Sequence, residues 1–266
     1  MKVLIKLGGT LLDASESRER LAREIAQAVQ NGVQAVVVHG GGKQMTRFLA
    51  ERGVESRFIN GLRVTTPEVL DAVLKVLAGS VNQELVASLV AQGVPAVGLS
   101  GMDALMTEAR AINEELGAVG KPVRSDPRLI DLLSERGYLP VVACLAGDPQ
   151  GRFYNVNADQ MAVSLAVAIQ ADKLLFLTDV DGVRGAGDVV HSTLTLEQCR
   201  LLIHEGVATG GMRAKLESAS QALHDGLREV VIAPGAAPGV IARLVAGDAV
   251  GTRLVTGTRA QQLLPG

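Results

Sequence analysis

The sequence predicts an α/β fold: a three-layer αβα sandwich around a mainly parallel central sheet, organised in two lobes. Three observations predict it. Short apolar runs such as Ala35–Val38 and Leu174–Leu177 suit strands buried on both faces. Segments with apolar residues at helical spacing alternate with these runs, as in a parallel sheet covered by helices on both sides. Glycine occurs 30 times, above the usual share of about 7%, and it clusters where a strand hands over to a helix.

Taken in order, Val3-Leu4-Ile5 is the first strand, and Lys6-Leu7-Gly8-Gly9 ends it in a glycine turn. Leu21, Ile25, Ala28 and Val29 place a helix over Ser15–Gln30, with Asn31-Gly32 as its C-cap. Val33–Val38 is the second strand and runs into His39-Gly40-Gly41-Gly42-Lys43. Met45, Phe48 and Leu49 then fit a helix over Lys43–Glu51. Arg57–Thr65 reads as irregular. Thr66 is an N-cap with Pro67 in the first turn of the next helix, and Ser80–Gln92 reads as another. Pro95–Leu99 is a short strand ending in Ser100-Gly101.

Residues 102–125 lack clean periodicity and fit a hairpin or an excursion over a site. Asp126-Pro127 opens a helix that stops at Gly137, and Leu139–Cys144 is the next strand. Gly147-Asp148-Pro149-Gln150-Gly151 is the strongest turn cluster and sets the expected boundary between lobes 1–151 and 152–266. Beyond it come a helix carrying Met161, Leu165, Ala168 and Ile169, and the Leu174–Leu177 strand. A helix over Leu196–Glu205, another opening at Thr209-Gly210-Gly211, and a late strand Val230-Val231-Ile232 complete the reading.

Composition removes several function classes. The 266 residues carry a formal charge of −2, spread along the chain, with no tryptophan and 2% aromatics. Neither a basic patch for nucleic acid nor base-stacking platforms are in evidence. Cys144 and Cys199 lie far apart and show no metal spacing, which fits a reduced cytoplasmic chain. Lys6 interrupts the first apolar run, so the N-terminus does not read as a signal peptide, and no apolar run is long enough to span a membrane.

The chemistry-bearing residues sit at the small-residue turns. Bare backbone at a helix N-terminus offers unpaired N–H groups and the positive end of the helix dipole, which suits an anion. Gly40-Gly41-Gly42 is therefore an anion-site candidate, with a plain tight turn as the alternative. It is neither a Walker loop, because Val37 and Gln44 stand where glycine and Ser or Thr are needed, nor a dinucleotide fingerprint, because Met45 stands where a small residue is needed. Lys6 and Lys215 each sit beside a Gly-Gly turn; each alone reads as a solvated lysine. Together they could stabilise charge on a transferring phosphoryl group. Arg63 offers a planar fork for a carboxylate, or a structural salt bridge. Asn155, Asn157 and Asp159 read either as a turn and helix cap, or with Asn155 donating to an acceptor carboxylate and Asp159 orienting the lysines or a magnesium ion. Asp179-Val180-Asp181-Gly182 reads as a turn, or as a nucleotide contact at the carboxyl end of a strand. His39 reads as structural rather than as a base.

Six stretches in order carry a resemblance: Ile5–Gly9, Val38–Gly42, Asn60–Thr65, Asn155–Asp159, Thr178-Asp179-Val180, and Thr209–Met212 with Lys215. Together they resemble the amino-acid kinase family, and within it the members that phosphorylate N-acetyl-L-glutamate on the arginine pathway. The resemblance implies ATP, as its Mg2+ complex, phosphorylating the side-chain carboxylate to N-acetyl-L-glutamyl 5-phosphate, with no protein-held metal. It implies that Lys6 and Lys215 stabilise the transition state and that Asp159 organises them. Gly41, Gly42, Arg63 and Asn155 would bind the acceptor. Gly8, Gly9, Asp179, Val180, Asp181, Gly182, Val183, Arg184, Val207, Ala208, Thr209 and Gly210 would line the nucleotide site. A carboxylate acceptor is already ionised at neutral pH, so the absence of an evident general base agrees with this assignment.

Arginine-inhibited members of the family carry an extra helix before the first strand, whereas Met1 here lies five residues before Lys6. The expectation is a homodimer with little arginine feedback. Carbamate, glutamate and uridylate kinases share the architecture but match Asn60–Thr65 less well. The alternatives are a kinase of the same fold acting on carrier-bound aminoadipate or glutamate, and a catalytically silent amino-acid or nucleotide sensor. The presence of Lys6, Lys215 and Asp159 weighs against the silent sensor.

Overall fold

A computed structural model describes residues 1–185 and 187–257; residue 186 and the final nine positions of the expected second lobe, 258–266, lie outside it. An eight-stranded sheet forms the middle layer. Its strands are β1 (Lys2–Leu7), β2 (Gln34–His39), β3 (Ala96–Ser100), β4 (Leu139–Ala143), β5 (Lys173–Thr178), β6 (Thr193–Thr195), β7 (Val230–Pro234) and β8 (Thr252–Val255). They lie in the order β6-β8-β7-β5-β1-β2-β4-β3. The six from β7 to β3 are parallel; β8 runs antiparallel to β7 and carries β6 with it.

Side-chain alternation along β1 builds two cores. Val3, Ile5 and Leu7 face one layer, with the Ser15–Gln30 helix and the helix beginning at Pro67; Leu4 faces the other, with the Ala158–Ala168 and Gly210–His224 helices. Lys6 continues the Leu4 face. β1 lies between β2 and β5, with Lys6 level with Val38 and Phe176. Connections leave β1 toward β2 on one side, while β5 lies on the other. The carboxyl ends of these three strands therefore form a switch point, where open α/β sheets leave a crevice.

The Ser15–Gln30 helix has the expected bounds, and Gly32 takes φ +86° just beyond its cap. Thr66 caps the next helix through Val69 N–H, with Pro67 as its first residue. Two differences follow downstream. Residues 67–90 form one continuous 24-residue helix rather than two, because Leu74–Val81 carries on through a π-turn instead of breaking at Gly79-Ser80. By length and composition this helix (mean hydropathy 1.3 over its most apolar stretch) is long enough to cross a membrane, which the sequence reading had not found. In the fold, Val69, Val73, Leu77, Leu85 and Leu89 are packed into the core.

The segment read as irregular contains a hairpin, Phe58–Ile59 with Leu62–Arg63, turned by Asn60 and Gly61 at φ 50° and 78°. Residues 102–125 hold the hairpin of Thr107–Ala111 and Val119–Ser125. It closes with Leu145–Gly147 and Phe153–Val156 into a four-stranded barrel beside the sheet. The Gly147–Gly151 cluster is the tight turn joining the last two of these strands. The three-residue β6, the Val240–Ala246 helix and β8 were not read from sequence.

Candidate active site

Lys6 stands one residue before the end of β1, and its side chain is 8% exposed. Asn157 caps the Ala158–Ala168 helix by accepting from Asp159 N–H at 2.9 Å and Gln160 N–H at 3.2 Å. That cap starts the helix opposite the end of β1 and places Asp159 in its first turn. The Gly210–His224 helix packs against it and brings Lys215. Lys6 Nζ lies 2.7 Å from Asp159 Oδ1 as an ion pair, and Lys215 Nζ donates a hydrogen bond to Oδ2 at 3.1 Å.

Burial works to raise the Asp159 pKa, but the two ammonium groups outweigh it and hold the carboxyl below the usual carboxylate range. The group is an anion between two cations. Asp159 thus keeps two positive charges together, Lys6 buried and Lys215 partly buried, where their repulsion would otherwise be strong.

Beside this triad, a cleft of about 170 Å³ opens along Gly40, Gly41, Gly42, Arg63 and Asn155. The two glycine turns touch: a Cβ on Gly9 would lie 3.1 Å from Gly42 N and 3.2 Å from Gly41 N. A side chain on Gly9 would crowd the Gly41–Gly42 backbone unless that backbone moved by a few tenths of an ångström. Gly8 N–H donates to Leu177 O at 2.9 Å, joining the same turn to the end of β5.

Arg63 is held in the wall of the cleft. Its guanidinium donates to Ser56 Oγ, to Thr46 Oγ1 at 2.8 Å and to Gly42 O at 3.0 Å, and lies 4.6 Å from the Phe58 ring centre. Half-burial lowers its pKa while leaving it charged. Among the described residues it has no carboxylate partner within ion-pair distance, so the salt-bridge alternative does not hold there.

Asn155 reaches the cleft through a backbone lattice. Thr65 N–H donates to Leu116 O, Ala118 N–H to Thr65 O, and Asn155 N–H to Ala118 O. The Asn155 amide then donates to Thr65 Oγ1 at 3.0 Å. Thr46, Ser56 and Thr65, which orient Arg63 and Asn155, were not assigned roles from sequence. Their hydroxyls meet those partners only through the fold.

The expected nucleotide residues divide between exposed and buried. Asp179, Val180 and Asp181 are exposed just past β5, and Arg184 pairs with Asp181 and Asp188. Gly182 and Val183 are buried, with Val183 N–H donating to Thr252 Oγ1 at 2.8 Å. Val207, Thr209 and Gly210 are exposed before the Lys215 helix, while Ala208 is buried. Of the residues singled out, Lys6, Asp159 and Lys215 come into direct contact; Gly41, Gly42, Arg63 and Asn155 line one cleft.

Residues 1–234 match the model of the amino acid kinase family. The acetylglutamate kinase of Solibacter usitatus is 58% identical over 96% of this chain and 100% of that protein. The acetylglutamate kinase of Acidobacterium capsulatum is 45% identical over 91% and 94%. Among solved structures, the N-acetylglutamate synthase of Neisseria gonorrhoeae, complexed with coenzyme A and N-acetyl-glutamate, superposes with a TM-score of 0.86 at 27% identity. The superposition covers 96% of this chain but only 59% of the synthase. The chain belongs to the amino acid kinase family, on its acetylglutamate kinase branch.

Proposed function

We propose that this protein transfers the γ-phosphoryl group of ATP to the side-chain carboxylate of N-acetyl-L-glutamate, the second step of arginine biosynthesis. The observation that carries this reading is the Lys6–Asp159–Lys215 cluster at the end of β1, beside a cleft whose Arg63 has no carboxylate partner among the described residues. A carboxylate oxygen of the acceptor forms the new bond to the γ-phosphorus as the bond to the β-phosphate oxygen breaks. ADP leaves, and N-acetyl-L-glutamyl 5-phosphate remains. No proton need move, and the residues present supply charge rather than a base.

Lys6 and Lys215 approach from β1 and from the Gly210–His224 helix, suited to neutralising oxygens that gain charge in transfer. Arg63 and Asn155 hold the acceptor's second carboxylate and amide, with Gly41 and Gly42 offering backbone N–H groups. In this reading residues 1–151 supply most of the acceptor site and 152–266 most of the ATP site, with Asn155 and the Gly8-Gly9 turn each reaching across that boundary. Magnesium enters with ATP as part of the substrate. Asp179–Arg184 and Val207–Gly210 take the nucleotide, with Gly8 and Gly9 against its phosphates.

The protein acts as a cytoplasmic homodimer in this proposal. Cys144 and Cys199 are free and buried, in keeping with a reducing compartment. Among the described residues β3 is an end strand of the sheet, with β4 as its neighbour and its other edge unpaired. The 67–90 helix beside it has Leu70, Leu74 and Val86 half-buried and Val90 54% exposed. An open apolar edge of this kind suits an isologous pairing. Sedimentation at a monomer mass would overturn the dimer.

Hydroxylamine trapping with magnesium-ATP tests the reaction, comparing N-acetyl-L-glutamate with glutamate, aspartate and N-acetyl-aminoadipate. Hydroxamate with N-acetyl-L-glutamate alone is expected. None from any free acid would send the assignment to a carrier-bound acceptor or a silent sensor.

A further inference from the structure

His39 ends β2, is fully buried, and sits directly before the glycine turn. Its Nδ1 lies 2.9 Å from the carbonyl oxygen of Gly40. A carbonyl only accepts, so Nδ1 carries the proton and Nε2 of the neutral ring must accept. Asn82 Nδ2 meets Nε2 at 2.9 Å and Val141 O at 3.0 Å, which uses both amide hydrogens.

Asn82 owes its place to the π-turn. In an α-helix, residues five apart point about 140° away from each other. The i→i+5 bonding of Leu74–Val81 brings Leu77 and Asn82 toward one face. Leu77 packs where a Gly41 Cβ would be, and Asn82 reaches His39. On the far side, a Cβ on Gly98 of β3 would overlap Asn82 Oδ1, so only glycine leaves room for the amide.

The Gly40–Gly41 peptide is planar and trans, so its C=O and N–H point in opposite directions. Drawing the Gly40 carbonyl toward buried His39 turns the Gly41 N–H away from the imidazole. Among the described residues no acceptor takes that N–H. We propose that His39 and Asn82 are positioning residues that set the Gly41 N–H toward the acceptor, with the π-turn and Gly98 keeping Asn82 in place. This rests on the reading of Gly41 and Gly42 as acceptor contacts. His39 performs no proton transfer here; it acts through the peptide it holds.

The test compares His39→Leu, His39→Asn and Gly98→Ala with the parent protein, reading kcat and both KM values in the hydroxamate assay alongside thermal melting. His39→Leu and Gly98→Ala are expected to raise the acceptor KM about tenfold while the ATP KM stays within about twofold. His39→Asn keeps a donor near the Nδ1 position and should return the acceptor KM to within about threefold of the parent. Gly98→Ala supplies the measurement if His39→Leu does not fold. Equal rises in both KM values, or an unchanged acceptor KM in a folded variant, would overturn the positioning role and leave the kinase assignment intact. A parent protein that yields no hydroxamate overturns the kinase reading, and the positioning role falls with it.

Discussion

Lys6 and Lys215 approach opposite oxygens of the Asp159 carboxylate, at 2.7 and 3.1 Å, from elements at opposite ends of the chain. The arrangement separates charge supply from charge placement. Lys6→Met, which keeps the bulk and removes the charge, is expected to lower kcat about 10²- to 10³-fold with smaller changes in either KM. Asp159→Asn should also destabilise the fold by about 3 kcal/mol, because it leaves the buried Lys6 ammonium and the partly buried Lys215 ammonium without their counter-charge. A Lys6→Met enzyme of near-normal kcat in steady-state assays would remove the transition-state role.

Arg63 tests acceptor recognition. Its fork is braced by Ser56, Thr46 and the Gly42 carbonyl, a geometry a lysine cannot reproduce. Arg63→Lys is expected to raise the N-acetyl-L-glutamate KM about 10- to 100-fold, since a hydrogen bond to a charged group is worth about 1.5–3 kcal/mol. The ATP KM should stay within about twofold. Initial rates over both substrate ranges separate the two.

His39 should make stability depend on acid. Complete burial lowers its pKa from 6.5 to about 4, the hydrogen bond to Gly40 opposing the shift. Between those values the unfolded chain binds a proton that the folded chain does not. Its contribution is therefore complete above about pH 6.5 and declines as pH falls toward 4, by about 3 kcal/mol in all. The Asp159 carboxyl, also lowered in the fold, changes stability in the same direction but only in more acidic solution. In His39→Asn the unfolding free energy should lose the His39 share of its slope, most clearly between pH 6.5 and 5, as read by denaturant melts across that range.

Gly117 pairs with Thr65 in an isolated β-bridge next to the strand segment that carries Arg63. It takes φ +64°, and a Cβ there would collide with the Thr65 carbonyl oxygen, a backbone atom that cannot swing aside. Gly117→Ala is expected to cost about 1–3 kcal/mol from the backbone conformation alone. It should also raise the acceptor KM by spreading the Thr65–Asn155 lattice. Calorimetric melting together with acceptor kinetics checks both effects.

Local signals carried much of the molecule. The spacing of Leu21, Ile25 and Ala28 determined a helix, Asn31-Gly32 its end, and Thr66-Pro67 the start of another. Apolar runs marked the central strands because burial on both faces demands them. The residues of the lysine cluster and of the acceptor cleft were legible as types at small-residue turns. The tertiary structure decided what local patterns do not encode. It joined residues 67–90 into one helix, since a π-turn absorbs the extra residue without a break in the apolar face. It paired β6 and β8, which are too short for periodicity to reveal, by hydrogen bonds across long stretches of sequence. It also brought Asp159 between Lys6 and Lys215 and left Arg63 without a carboxylate partner among the described residues. Side-chain types and spacing are properties of the chain; which charges meet, and which stay open, depends on contacts between distant residues that only packing creates.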